Sequence, residues 1–509
     1  MRKAIRTIIH PIIFGLYPVL FLYGENLGEV ASYDLLLPLA FSLALVISFL
    51  GCFWVLLRDM DKSAAMSSLS LIFFFFYSGF SEFASSHLPL IVSTNIVLHP
   101  YYIVNFFSAA FLTLSFILLR DYKGGLGPLT TFFNVIASIL LVFNLIDVVP
   151  FILSEDVRRG VDNPGDVHVI SGKSMPDIYY IILDGYSRDD VLLESLGHNN
   201  SGFSDELRAR GFYVADKSMS NYATTFLSLP SSLNMKYIDH VSSNTTRLPH
   251  DLSMAYNLIR DNEVQKYLKS KGYTIVNFRS SWGPTDDIRS ADLQLSFSQF
   301  RENNDFFLVL LQTTALSPFI EHIIWDFRRN NILYVFDELS DVALMPEPTF
   351  TLSHVLCPHA PFLFDRDGGV PVQTMDSREL YVGQLVYVNK RVLGVVDEIL
   401  SKSDEPPVII LQADHGAGIL GFNNACVNNP LDNRNYDDKM VEDRVKILNA
   451  YLLPGGGSEG LYESISPVNS FRVVFNRYFH ENLTMLEDRS YFSCGRNPFD
   501  FREVEHTTA

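Results

Sequence analysis

Two apolar stretches of this chain stop on an acid. "DIYYIILDGY" closes on Asp184, and "PVIILQADHG" closes on Asp414 and His415. A carboxylate at the end of a buried strand is costly if left unpaired. Two such ends side by side would bring two carboxylates and an imidazole to one point. That donor set suits one divalent cation, zinc or manganese first, magnesium or calcium next. A lone strand-end aspartate usually does no more than cap a helix or shape a turn. The pairing of "ADHG" with a second strand-end acid is what points to metal.

Such a cation needs something to activate. "NYATTFLSLPSSLNMKY" places Thr224 and Thr225 before a stretch that reads as a helix. A helix N-terminus favours negative charge, so either hydroxyl could ionise there and attack phosphorus. Either could equally serve as a plain helix cap. "SHVLCPHAPFLF" adds His354 and His359. Prolines flank His359, a rigid setting for an imidazole held over an anionic substrate as oxyanion donor or proton carrier.

Strands must position these groups. Continuous apolar runs at 177–184, 273–278, 349–356 and 407–414, with a shorter one in "GFYVAD", read as buried strands. Helical patterns fit 204–210, 263–271, 380–400 and 468–479. Alternation of this kind predicts a mostly parallel sheet covered by helices on both faces, with ligands at the carboxyl ends of its strands. The segment "GAGILGFNNACVNNPLDNRNYDDKMVEDR" reads as a loop, its charged end as a solvated face. Cys426 and Cys494 are candidates for a disulfide, with buried free thiols as the alternative.

The rest of the chain has a different composition. Apolar runs at about 8–23, 35–57, 64–80, 101–119 and 129–153 are close to the roughly 20 residues that cross a bilayer. Basic residues before Arg158 fall only ahead of the first run, between the second and third, and between the fourth and fifth. Basic loops stay cytoplasmic. The expected layout is therefore a transmembrane domain over 1–154 with its N-terminus cytoplasmic, a linker over 155–176 and an extracytoplasmic catalytic domain over 177–509. The first run reads as a span, not a cleavable leader. The chain has 39 basic and 57 acidic residues, a net charge of −18, which argues against a nucleic-acid partner. Nothing in the sequence speaks to oligomeric state.

Taken in order, the strand-end acid, the hydroxyl, "HAPF", "DHG" and "SPVNSFRVVFNRYF" resemble the alkaline phosphatase superfamily in its sulfatase-like branch. The layout is similar to that of lipoteichoic acid synthases and phosphoethanolamine transferases, which carry this domain behind about five spans in the bacterial plasma (inner) membrane. The resemblance implies Asp184, Asp414, His415 and the nucleophile as metal ligands. It favours Thr225 over Thr224, because Ser228 and Leu233 then match the serine and leucine of the sulfatase nucleophile helix. It implies a substrate-facing His359, a weaker match at His354, and by loose analogy a binding role for Arg279 and Trp282.

The chain departs from type I sulfatases. It lacks the "CxPxR" cysteine, and Gly185, not a second aspartate, follows Asp184. One metal and a threonine fit the transferases best. The expected activity is transfer of a headgroup from a membrane lipid to a glycan or lipid. A membrane-tethered phosphate or sulfate ester hydrolase is the first alternative. A non-catalytic envelope protein on a degenerate hydrolase fold is the second.

Overall fold

The computed structural model describes the chain except for residue 1, 28, 31, 88–99, 160–174, 240–251, 298–304, 373–374, 422–435, 457, 495–496 and 506–509. The chain forms two units: Met1–Pro164 with Ser298–Trp325, and Gly165–Phe297 with Asp326–Ala509.

The first unit is helical. Among the described residues, four helical stretches are long and apolar enough to cross a membrane: Arg6–Glu25, Ser32–Leu57, Ile103–Asp121 and Gly127–Leu153. The third sequence run is two helices, Met60–Phe75 and Tyr77–Ala84, bent by 60° and long enough only when taken together. His10 and Pro11 lie inside the first helix. The basic segments gather at one end of the unit. Lys62 donates to the carbonyls of Arg120 and Tyr122 (3.0 and 2.7 Å), and Arg6 donates to Thr131 (2.7 Å).

Two expected boundaries move. The last apolar helix continues to Arg159, so the expected linker begins as helix, and its residues 160–174 lie outside the described ones. Segment 298–325, expected in the catalytic domain, belongs to the membrane unit. Its helix Asp305–Thr313 buries Phe306 and Leu310 in one core with Val19, Tyr23, Leu35, Phe75 and Val148. At nine residues this helix is too short to read as a span, and its apolar residues look like those of any buried helix.

The second unit holds a seven-stranded sheet among its described residues. Its strands are β1 (Ile178–Leu183), β2 (Tyr213–Val214), β3 (Thr274–Phe278), β4 (Leu293–Leu295), β5 (Thr349–Val355), β6 (Val408–Ala413) and β7 (Asn449–Leu452). The order is β2-β7-β6-β1-β5-β3-β4. β1 pairs in parallel with β5 and β6, and β3 with β5 and β4, while β7 and β2 run antiparallel at one edge. A separate hairpin joins β8 (Ser490–Cys494) to β9 (Asn497–Val504).

β1, β5 and β6 are buried along their whole length, as their unbroken apolar sequences require. Leu229, Leu233, Leu268, Phe471 and Phe475 from flanking helices pack in one core with Ile178, Ile182, Phe350 and Ile410 of the sheet. The helix Ser377–Lys402 buries Leu385, Val388, Val392 and Val396. Cys494 is disulfide-bonded. Cys426, its expected partner, lies outside the described residues.

Candidate active site

The register sets the site. Leu183 pairs with Ala413, so Asp184 and Asp414 leave adjacent parallel strands at the same level, about 4.8 Å apart. β5 lies on the other side of β1, with His354 opposite Ile182. Three strands thus deliver their polar ends to one edge of the sheet. Gly185 follows at φ +71°, and a side chain there would meet His359 at 3.4 Å.

Asp414 is held by backbone amides. Its Oδ1 accepts from Gly185 (3.1 Å) and His415 (2.9 Å). Its Oδ2 is buried with no hydrogen-bond partner among the described residues, as is Oδ1 of Asp184. His415 Nδ1 donates to the Gly416 carbonyl (3.0 Å), which fixes the tautomer. Nε2 then presents a lone pair, 3.3 Å from Asp414 Oδ2 and 3.6 Å from Asp184 Oδ1. Three electron-rich atoms face one another in a buried place, an arrangement that repels itself unless a cation sits among them.

Two groups, Asp184–His359–His415 and Asp184–His354–Asp414, each bring one ligand atom per residue within 4.8 Å of the others. The donors are borderline nitrogen and hard oxygen, and they fit a divalent ion. Burial opposes the charge of Asp184, yet His359, His354 and His415 hold its carboxyl well below the ordinary range. Burial, then Arg444, lowers His415 to about 4. This imidazole is neutral at pH 7, as a metal ligand must be.

Thr225 begins the helix Thr225–Asn234, and Thr224 precedes it in an extended conformation. Thr225 Oγ1 lies 3.1 Å from His415 Nε2. Thr224 has a buried hydroxyl without a hydrogen-bond partner among the described residues. The two threonines are therefore not equivalent: only Thr225 reaches the cluster and the cavity beside it.

That cavity has a volume of about 260 Å³, with Asp184, Thr225 and His359 on its lining together with Ser281, Trp282 and Arg328. The His359 loop is pinned from below by buried Gln384, which donates to the carbonyls of Pro358 and His359 (3.1 and 3.0 Å) and accepts from Leu363 and Phe364 (2.6 and 3.1 Å). His359 Nδ1 contacts the Ala360 carbonyl at 2.6 Å, leaving Nε2 for the cavity.

Two expected substrate contacts are placed otherwise. His354 is 1% exposed, off the cavity lining, with Nδ1 on Thr285 (2.9 Å) and Nε2 3.6 Å from Asp184. It stands behind Asp184, because it lies one register pair before the end of its strand. Arg279 pairs with Asp286 at 3.4 Å and does not line the cavity. Trp282 does line it.

The sequence reading missed Arg328, Thr285, Ser280 and Arg444. Arg444 is 4% exposed, although its acid-rich neighbourhood reads as a solvated face. The remainder of that insert, 422–435, lies outside the described residues.

A search of curated proteins returned no match. Among solved structures the chain is similar to the periplasmic domain of EptC from Escherichia coli in complex with zinc (TM-score 0.43, 11% identity, 67% of this chain and 97% of that one). It is also similar to lipooligosaccharide phosphoethanolamine transferase A from Neisseria meningitidis (TM-score 0.41, 13% identity, 92% and 95%). A third is an alkaline phosphatase superfamily protein from Vibrio parahaemolyticus (TM-score 0.40, 11% identity, 65% and 74%). Scores this low carry no inference about activity. The model of the Sulfatase family matches residues 176–461. That segment holds both strand-end acids, the threonine helix and the His359 loop, and over it, more than half its length, the chain belongs to the Sulfatase family.

Proposed function

We propose that this protein is a membrane-anchored, metal-dependent transferase that moves a phospholipid headgroup through a threonine-bound intermediate. The observation that carries the reading is the contact of Thr225 Oγ1 with His415 Nε2 at 3.1 Å, beside two buried carboxylate oxygens without hydrogen-bond partners. Asp184, Asp414, His415 and Thr225 would hold the ion, zinc or manganese by donor type. When bound there, a divalent cation supplies Lewis acidity that lowers the pKa of a neighbouring hydroxyl and offsets negative charge.

The residues divide the remaining work. Thr225 Oγ forms the bond to phosphorus, its proton passing to water, and the bond from phosphorus to the diacylglycerol oxygen breaks. His359 donates a proton to that leaving oxygen. In the second half, His359 takes the proton of an acceptor hydroxyl, which attacks phosphorus and frees Thr225. The helix N-terminus at Thr225 favours the negative charge that develops there. The rigid His359 loop keeps the proton carrier in place between the two halves.

In this reading the end of the membrane unit that carries the basic segments is cytoplasmic. With the bent pair Met60–Phe75 and Tyr77–Ala84 counted as one span, the spans number five and the catalytic unit would lie outside. Tethering in this way raises the effective concentration of a lipid donor. Thr225→Ala should lower headgroup release on the order of 10³-fold and abolish the covalent adduct seen by intact-protein mass spectrometry. Wild-type turnover in that variant would end the reading. A free headgroup as sole product would replace transfer by hydrolysis.

A further inference from the structure

Arg444 takes no part in the chemistry just described, yet it is a cation buried beside it. It lies in the last turn of the helix Asp438–Val445. Its Nε donates to the Ala223 carbonyl (2.8 Å), and its Nη1 donates to the Gly416 carbonyl (2.7 Å). Ala223 lies two residues before Thr225. Gly416 follows His415, and its carbonyl is the one that takes the His415 Nδ1 proton (3.0 Å). The backbone returns the contact, since the Gly416 amide donates to the Arg444 carbonyl at 2.7 Å. A side chain at Gly416 would stand 2.4 Å from the Asp443 carbonyl, so only glycine lets the two backbones approach this closely.

We propose that Arg444 is a positioning residue for the nucleophile: its guanidinium ties the Thr225 segment to the Asp414–His415 segment and so sets the gap between hydroxyl and imidazole. The proposal rests on Thr225 being the nucleophile. A planar fork with fixed donor spacing suits this task. A lysine ammonium keeps the charge but is a single point, and it cannot hold both carbonyls at their present separation. Taking a charge out of water is expensive, and a purely packing role would be met by methionine at lower cost. Misplacement of reacting atoms by even about 1 Å costs on the order of 10²-fold in rate.

The test uses the full-length protein in detergent with radiolabelled-headgroup phosphatidylethanolamine and phosphatidylglycerol in mixed micelles, taking whichever the wild type accepts. Wild type, Arg444→Lys, Arg444→Met and Thr225→Ala are compared for single-turnover labelling of the protein, kcat, KM and bound metal. Arg444→Lys should keep its metal and its KM within about threefold while labelling and kcat fall about 10- to 100-fold. Arg444→Met should fall at least as far. If Arg444→Met does not fold, Arg444→Lys decides.

Wild-type labelling by Arg444→Lys would overturn the proposal, because charge alone would then suffice. A loss carried by KM, or one matched by loss of metal, would overturn it too. Thr225→Ala separates the two ideas. If it still turns over at the wild-type rate, the nucleophile assignment fails whatever Arg444 does.

Discussion

The two sides of the candidate site are built differently. On one side, Asp184, Asp414 and His415 stand at the ends of strands whose every residue is buried, and backbone amides and a backbone carbonyl aim the free atoms of Asp414 and His415. On the other, Ser281, Trp282, Arg328 and His359 come from loops and a helix outside the sheet. The sheet side is fixed by hydrogen-bond register and can change little without loss of the fold. The loop side is fixed by side-chain packing, such as the Gln384 clamp, and can vary. On the proposed function, the difference teaches that the cation site belongs to the strand ends, whereas the loop side supplies the proton carrier His359 and the contacts that choose the substrate.

Substitutions on each side test this division. Asp414→Asn removes one of the facing carboxylates while keeping its shape. Activity should fall on the order of 10³-fold, with bound metal lost, as measured by elemental analysis. Retained metal would break the comparison at its strongest point. His359→Ala should lower kcat about 10²-fold with metal retained, since His359 lines the cavity from a loop. Metal lost together with activity would move His359 to the sheet side of the division.

Trp282→Ala should act mainly on KM, raising it about tenfold, or 1.4 kcal/mol of binding, with kcat within about threefold. A kcat effect as large as that of His359→Ala would erase the distinction between outer wall and reaction centre. The smallest effect is in stability. His415 is lowered to about 4 from 6.5, so between those values the unfolded chain binds a proton that the folded site refuses. Folded stability should then decline as pH falls across that window. Chelator-treated protein should show this in its melting temperature, and His415→Gln should flatten it. An equally steep decline in the variant would trace it to other groups.

The sheet side is legible in the sequence for a physical reason. A buried parallel strand must be apolar throughout, so the first acid after it marks its end, and Asp184 and Asp414 announce themselves. The threonine helix is legible as a helix, but sequence cannot say which of two adjacent hydroxyls turns inward. Likeness to a family is the only ground on which the sequence favours Thr225. The outer wall is mostly hidden. Arg328 sits in a helix, Ser317–Glu338, with basic and acidic residues along it, and nothing in its spacing marks the residue that meets the cavity. His354 misleads because its sequence neighbour "HAPF" suggests a shared role, whereas alternation along β5 and the register with β1 put it behind Asp184. Arg444 is hidden by composition, since an arginine among acids looks solvated until tertiary contacts bury it.

The return of segment 298–325 to the membrane unit bears on how this protein can be handled. A fragment beginning at about residue 177 looks, from the strands, like a natural choice for a soluble catalytic piece. It would still carry helix Asp305–Thr313, whose Phe306 and Leu310 are covered by Val19, Tyr23, Leu35, Phe75 and Val148. Cut away from those residues, the helix would offer an uncovered apolar face to water, the kind of surface on which chains aggregate. Removing the membrane spans therefore calls for replacing Phe306 and Leu310 with polar residues, or excising the whole loop, before the catalytic unit is purified on its own.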